Sequence, residues 1–143
     1  QTPQGVYDLV QYGNQDGTSS IFVLRIAEQY LIRAEARVRK ATTNLAGAVQ
    51  DLNKIKSRAD VPELIYSPQL NSEQILLAIE NERRFELAFE GHRFLDIVRT
   101  GRAADVFGAI NVNLKNPDFW IFPIPQSEII TDPDLAGDQN KGY

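Results

Sequence analysis

Cysteine is absent from the 143 residues, so neither disulfides nor thiolate metal sites operate here, and the redox compartment leaves no mark on composition. Stability must come from packing. No apolar stretch approaches the roughly 20 residues that a membrane-spanning helix requires, and Gln1 does not open a basic segment followed by an apolar one. Without an initiator Met, the start is that expected of a processed or truncated product, with any targeting segment upstream. Lys and Arg are scattered among Asp and Glu at a net charge of −4, which leaves no basic stripe for a phosphate backbone. Nucleic acid is not an expected partner.

Histidine occurs once, at His92, and no Gly-x-Ser-x-Gly elbow accompanies it. A Ser-His-Asp triad therefore has no place to form. Gly101 and Gly108 stand alone, outside any phosphate-cradling Gly-rich loop, so nucleotide binding is not expected. No cofactor is indicated.

What is present reads as helices. Residues 1–21 hold three glycines and a proline around one short apolar patch, Val6 to Val10, and are expected to be extended or looped. From 22 to 40, Ala27, Tyr30, Ala34, Val38 and then Ala41 recur every three or four positions, which places them on one helix face. Small residues there permit close packing. Thr43 or Asn44 can cap a second helix, whose stripe runs Leu45, Ala48, Leu52, Ile55, Ala59. So short a connection predicts an antiparallel hairpin of the tetratricopeptide kind, although the full consensus of that repeat is missing.

Residues 60–62 end the second helix, and Leu64, Ile65 and Tyr66 of the connector are expected to pack back on it. Asn71 or Ser72 caps a third helix that Gly91 is expected to stop, followed by a shorter one from His92 to about Thr100. The remainder is rich in Asn, Pro and Gly, and the alternate prolines of WIFPIP exclude a helix or central strand there. Its Phe119, Trp120, Ile121, Phe122 and Ile124 are expected to wrap it over the helices. The fold class is all-α: tetratricopeptide-like stacked helical hairpins with an ordered, irregular Pro-rich C-terminal tail.

The third helix carries an anomaly, because Glu82 falls in the stripe Ile75, Ala78, Phe85, Phe89. A charge on a buried face must be paired and hydrogen-bonded. Glu80 with Arg84 and Arg83 with Glu86 are within reach along the helix. Arg33 and Glu35 of the first helix, and Glu90, Arg93, Asp96 and Arg99 further on, extend a structural ion-pair network. A carboxylate or metal site at Glu82, Glu86 and Glu90 with His92 is disfavoured: Glu90 and His92 are two residues apart across a glycine, whereas a di-iron helix uses Glu-x-x-His. Trp120 is a candidate stacking platform for a sugar ring, with burial in its apolar run the stronger expectation.

Five segments in sequence, YLIRAEA at 30–36, AVQDLNKIKSRA at 48–59, ENERRFELAFEGHRFLDIVRTG at 80–101, FPIPQSEI at 122–129 and QNKGY at 139–143, resemble the C-terminal part of the SusD/RagB family. The resemblance covers residues 22–143. It implies a non-catalytic, cell-surface lipoprotein of the outer membrane, anchored through an upstream lipidated cysteine. Such a protein serves as a lid on a SusC-like TonB-dependent transporter and delivers oligosaccharides or, in some members, peptides. Residues 22–143 are then the C-terminal helical domain of a longer protein, with most ligand-contacting loops upstream. The alternative is a tetratricopeptide-like protein-interaction module with no glycan ligand, which has no need of FPIP and QNKGY.

Overall fold

A computed structural model of the chain describes residues 23–143. The expected extended segment 1–21 lies outside the described residues. Among these the elements are α1 (Ile26–Arg39), α2 (Leu45–Arg58), α3 (Ser72–Glu86), α4 (His92–Arg99), α5 (Ala103–Gly108) and α6 (Gln126–Thr131), with 3-10 helices at Val112–Lys115, Pro117–Trp120 and Pro133–Asp138. No strand occurs among the described residues, and no helix there is long and apolar enough to cross a membrane. The protein is all-α. The chain divides into two compact units at Ser67.

The first unit is the α1–α2 hairpin. Its core is Ala27, Leu31, Ala34 and Val38 of α1 against Ala48, Val49, Leu52 and Ile55 of α2, all buried. Leu31, the largest buried side chain of α1, falls between the expected stripe positions Tyr30 and Ala34. Ala41 and Ala59 lie beyond the helix ends and are exposed. Ala41 thus falls two residues past the end of α1 and Ala59 one residue past the end of α2, where the apolar period outruns the helix.

Asn44 caps α2 by accepting a hydrogen bond from the Gly47 amide. A Cβ at Gly47 would come within 2.6 Å of the Asn44 side chain, so any larger residue there would have to displace the capping amide. Past α2, Asp60 adopts φ +54 and turns the chain into the connector. Asn53 of α2 then holds the connector through both amide atoms, accepting from Leu64 N and donating to Leu64 O. Only Leu64 of the expected connector cluster tucks in; Ile65 and Tyr66 are exposed. A backbone pinned by one asparagine does not need those side chains inside.

The second unit opens with a capping box, in which Asn71 and Gln74 each bond the other's backbone amide. The buried face of α3 is Ile75, Ile79, Glu82 and Arg83, with Glu80 beside it. Phe85 and Phe89, placed by sequence in the apolar stripe, are 72% and 75% exposed. Ten residues at 3.6 per turn carry Phe85 about 80° around from Ile75, and away from Ile79 and Arg83. The stripe was drawn on the wrong edge of the helix.

Helix α3 also ends earlier than expected, at Glu86; residues 87–91 form turns. Gly91 does take the left-handed conformation (φ +80), but as the residue that starts α4. Phe89 precedes it at φ +65.

Phe94 of α4 stacks between Phe107 of α5 and Phe122 of the FPIP segment, at 5.4 and 5.1 Å between ring centres. The tail is ordered and Pro-rich, with short helical turns between its prolines. Gln139 ties its end down by accepting from Ile124 N and donating to Ile124 O, and Asn140 donates to Phe122 O.

Candidate functional site

Charged residues are the chemistry this chain offers, and the structure gathers three buried carboxylates, each held by two arginines. In the first unit Asp51, 3% exposed, accepts from Arg33 Nε and Nη2 at 2.9 and 2.7 Å and from Arg37 Nη1 at 2.7 Å. Arg37 Nη1 also donates to Gly47 O at 2.7 Å, tying α1 to the start of α2. The Asp51 hydrogen bonds, and then its charge, raise the Arg33 pKa above its ordinary value. Arg33 further leans on the Tyr30 ring, 5.1 Å from its centre.

In the second unit Glu80 accepts from Arg93 at 3.1 Å and from Arg102 at 2.6 Å, one arginine on each oxygen. Asp96 accepts from Arg83 Nε at 2.7 Å and from Arg99 Nε at 2.9 Å, again one on each oxygen. Glu80 and Arg83 sit on α3, Arg93, Asp96 and Arg99 on α4, and Arg102 starts α5. The pairs therefore fix how three successive helices seat on one another. Charge-assisted bonds of this kind are directional as well as strong.

Of the residues singled out by sequence, Arg33 bonds Asp51, Glu35 bonds Arg39 on its own helix at 2.7 Å, Arg83 bonds Asp96, and Arg93 bonds Glu80. Glu82 is buried at 8% exposure, and none of Glu82, Glu86, Glu90 and His92 is left free. Glu80 reaches the sequence-distant Arg93 and Arg102, and Arg84 instead lies over the Phe85 ring.

Sequence reading overlooked Asp51, Arg37 and Arg102. Asp51 could have been found, because it falls on the buried row of α2 between Ala48 and Ile55, the same signal that exposed Glu82. Arg102 could not, since it lies in a turn with no period.

Trp120 is half-buried, and its indole Nε1 donates to Leu114 O at 2.8 Å. The polar edge of the ring is thereby spent on the backbone. Among the described residues no group of three or more His, Cys, Asp or Glu has the arrangement to hold a metal ion.

Three buried carboxylates, each held between two arginines, thus tie the helices within each unit together. Comparison with known proteins supplies the family: the SusD family model matches residues 5–143, and the chain belongs to the SusD family. It is 33% identical over 131 residues to SusD-like protein P25 of Formosa agariphila, covering 85% of this chain and 24% of that protein. SusD-like protein P2 of the same organism is 29% identical over 139 residues, 90% of this chain and 27% of that protein. The starch-binding protein SusD of Bacteroides thetaiotaomicron is 31% identical over 132 residues, 87% of this chain and 22% of that protein. The chain thus spans about a quarter of the length of the curated relatives it matches. No solved structure matches it.

Proposed function

We propose that residues 22–143 are the C-terminal helical domain of a longer, non-catalytic protein of the outer-membrane surface, which binds oligosaccharides and passes them to a SusC-like TonB-dependent transporter. The family match over residues 5–143 carries this reading. A starch-binding relative at 31% identity supports a glycan as the ligand class.

The chemistry of the buried charges supports the non-catalytic half. A general acid or base needs a carboxylate free to exchange its proton near a substrate. Asp51, Glu80 and Asp96 are each engaged by two guanidinium groups, which hold them as ion-pair partners. In this reading the domain is scaffold. The ligand is met mainly by parts of the protein outside this chain, and Trp120 takes no part in binding.

A glycan array probed with the family-length protein tests the ligand class, and purification from detergent-extracted outer membranes tests the partner. Retention of oligosaccharides and co-purification of a TonB-dependent transporter are expected. Failure of both would refute the transport reading.

A further inference from the structure

Leu87, Ala88, Phe89 and Gly91, in the turn between α3 and α4, border a cavity of about 360 Å³, within the range of small-ligand pockets, about 300–1,000 Å³. Phe94 completes the apolar wall and is itself held by ring contacts with Phe107 and Phe122. Phe89 takes its place there at a cost, because its backbone sits at φ +65, which a bulky L-residue enters only with strain. Its ring is 75% exposed, so burial does not offset that strain. Backbone strain of this sort collects where ligands are held.

The polar wall is one-sided. Arg83, Arg84 and Arg93 line the cavity with a single carboxylate, Asp96, whose two oxygens already accept from Arg83 and Arg99. Glu82, Glu86 and Glu90 of the same stretch are not in the lining. Arg93 spends one N–H on Glu80 and is 33% exposed. Arg84 is exposed and makes no ion pair among the described residues; its guanidinium rests 5.9 Å from the centre of the Phe85 ring, which lies outside the lining. A guanidinium carries five N–H donors and no acceptor, so this wall supplies donors almost alone. Sugar hydroxyls, which both donate and accept, are poorly served by it. A carboxylate only accepts, and its planar oxygens match the guanidinium fork.

We propose that this cavity is a subsite for an acidic saccharide residue, whose carboxylate is taken by Arg84 and Arg93 and whose ring packs its C–H face on Phe89 and Phe94. The saccharide half rests on the reading of the protein as an oligosaccharide binder, and the acidic half on the arginines alone. Every lining residue lies in the second compact unit, so this ligand contact belongs to the chain itself.

The test is titration of the 143-residue chain, followed by amide NMR, with short oligogalacturonates and with the same oligosaccharides after reduction of each carboxyl to the alcohol. Shifts centred on residues 83–96 are expected. The reduced sugars should bind about tenfold more weakly or worse, as when a bond to a charged group is lost, and added salt should weaken only the acidic ones. Arg84→Gln should weaken the acidic sugar about tenfold and leave the unfolding midpoint unchanged, since Arg84 ties no other helix. Phe89→Gly should weaken binding yet raise the midpoint by relieving the left-handed strain, whereas Lys54→Ser, on α2, should change neither. Benzoate, an acid without a sugar ring, should bind more weakly than the oligogalacturonates. Equal binding of acidic and reduced sugars, no binding of either, full affinity in Arg84→Gln, or benzoate binding as tightly as the oligogalacturonates would overturn the subsite. None of those results touches uptake of a neutral glycan by the family-length protein. Acidic-sugar binding at these residues, with no transporter co-purifying, would uphold the subsite and refute only the transport partner.

Discussion

Arg83 Nε lies 2.7 Å from Asp96 Oδ2 with the two side chains only 5% and 8% exposed, whereas in the Glu80–Arg93 pair, which also joins α3 to α4, the arginine is 33% exposed. Neither partner can turn to solvent if the other is removed. Asp96→Ala is therefore expected to cost about 3–5 kcal/mol, the range for breaking a buried pair, and chemical denaturation with urea measures it.

Asp51 offers the contrasting case. Its own side chain is 4% exposed, but its partners Arg33 and Arg37 are 55% and 29% exposed and can rehydrate when it is lost. Asp51→Ala should thus cost less than Asp96→Ala, about 1.5–3 kcal/mol, as for bonds to charged groups. The same urea series decides the order; a larger loss at Asp51 contradicts the solvation argument.

Glu82, buried on α3, and Glu73, exposed in its first turn, share a helix and a charge. Glu82→Ala should destabilise by several kcal/mol, with about 3–5 expected when a buried pair is broken. Glu73→Ala should stay within about 0.5 kcal/mol, as for other surface changes. Equal shifts in a thermal melt refute the network at Glu82.

Leu31 and Leu52 are fully buried and face each other's helices within the α1–α2 hairpin. Leu52→Ala should remove about 2–5 kcal/mol through lost transfer energy and a residual cavity. Far-UV circular dichroism of the variant below its melting transition distinguishes a cavity, which leaves the helical signal intact, from loss of the hairpin, which lowers it.

Trp120 is predicted to matter for the tail only. Trp120→Phe removes the bond to Leu114 O and should cost about 1 kcal/mol, with glycan retention by the family-length protein unchanged. A tenfold loss of glycan affinity would instead assign the ring to the ligand.

The helices were legible because they are local. Asn44 and Asn71 announce their caps, and the apolar rows of α1 and α2 repeat through the whole helix. The end of α3 was not legible: ELAFEG continues a helical pattern, and only the left-handed Phe89 breaks it. The buried face of α3 was misdrawn because two aromatic residues outweigh smaller aliphatics in any apolar count, although Phe85 and Phe89 point outward. Pairing was the hardest part. Sequence spacing favours partners three or four residues apart, yet Glu80 bonds Arg102, 22 residues on, a choice made by the α3–α4–α5 turns. Asn53 and Gln139, whose side chains bond both backbone groups of a distant residue, left no sequence signal at all.

The most direct test of the central claim is equilibrium titration of the family-length protein with oligosaccharides, followed by chromatography of the recovered sugar. The account predicts saturable binding and ligand returned intact. Shortened or otherwise altered sugar, or no binding to any glycan, would contradict it.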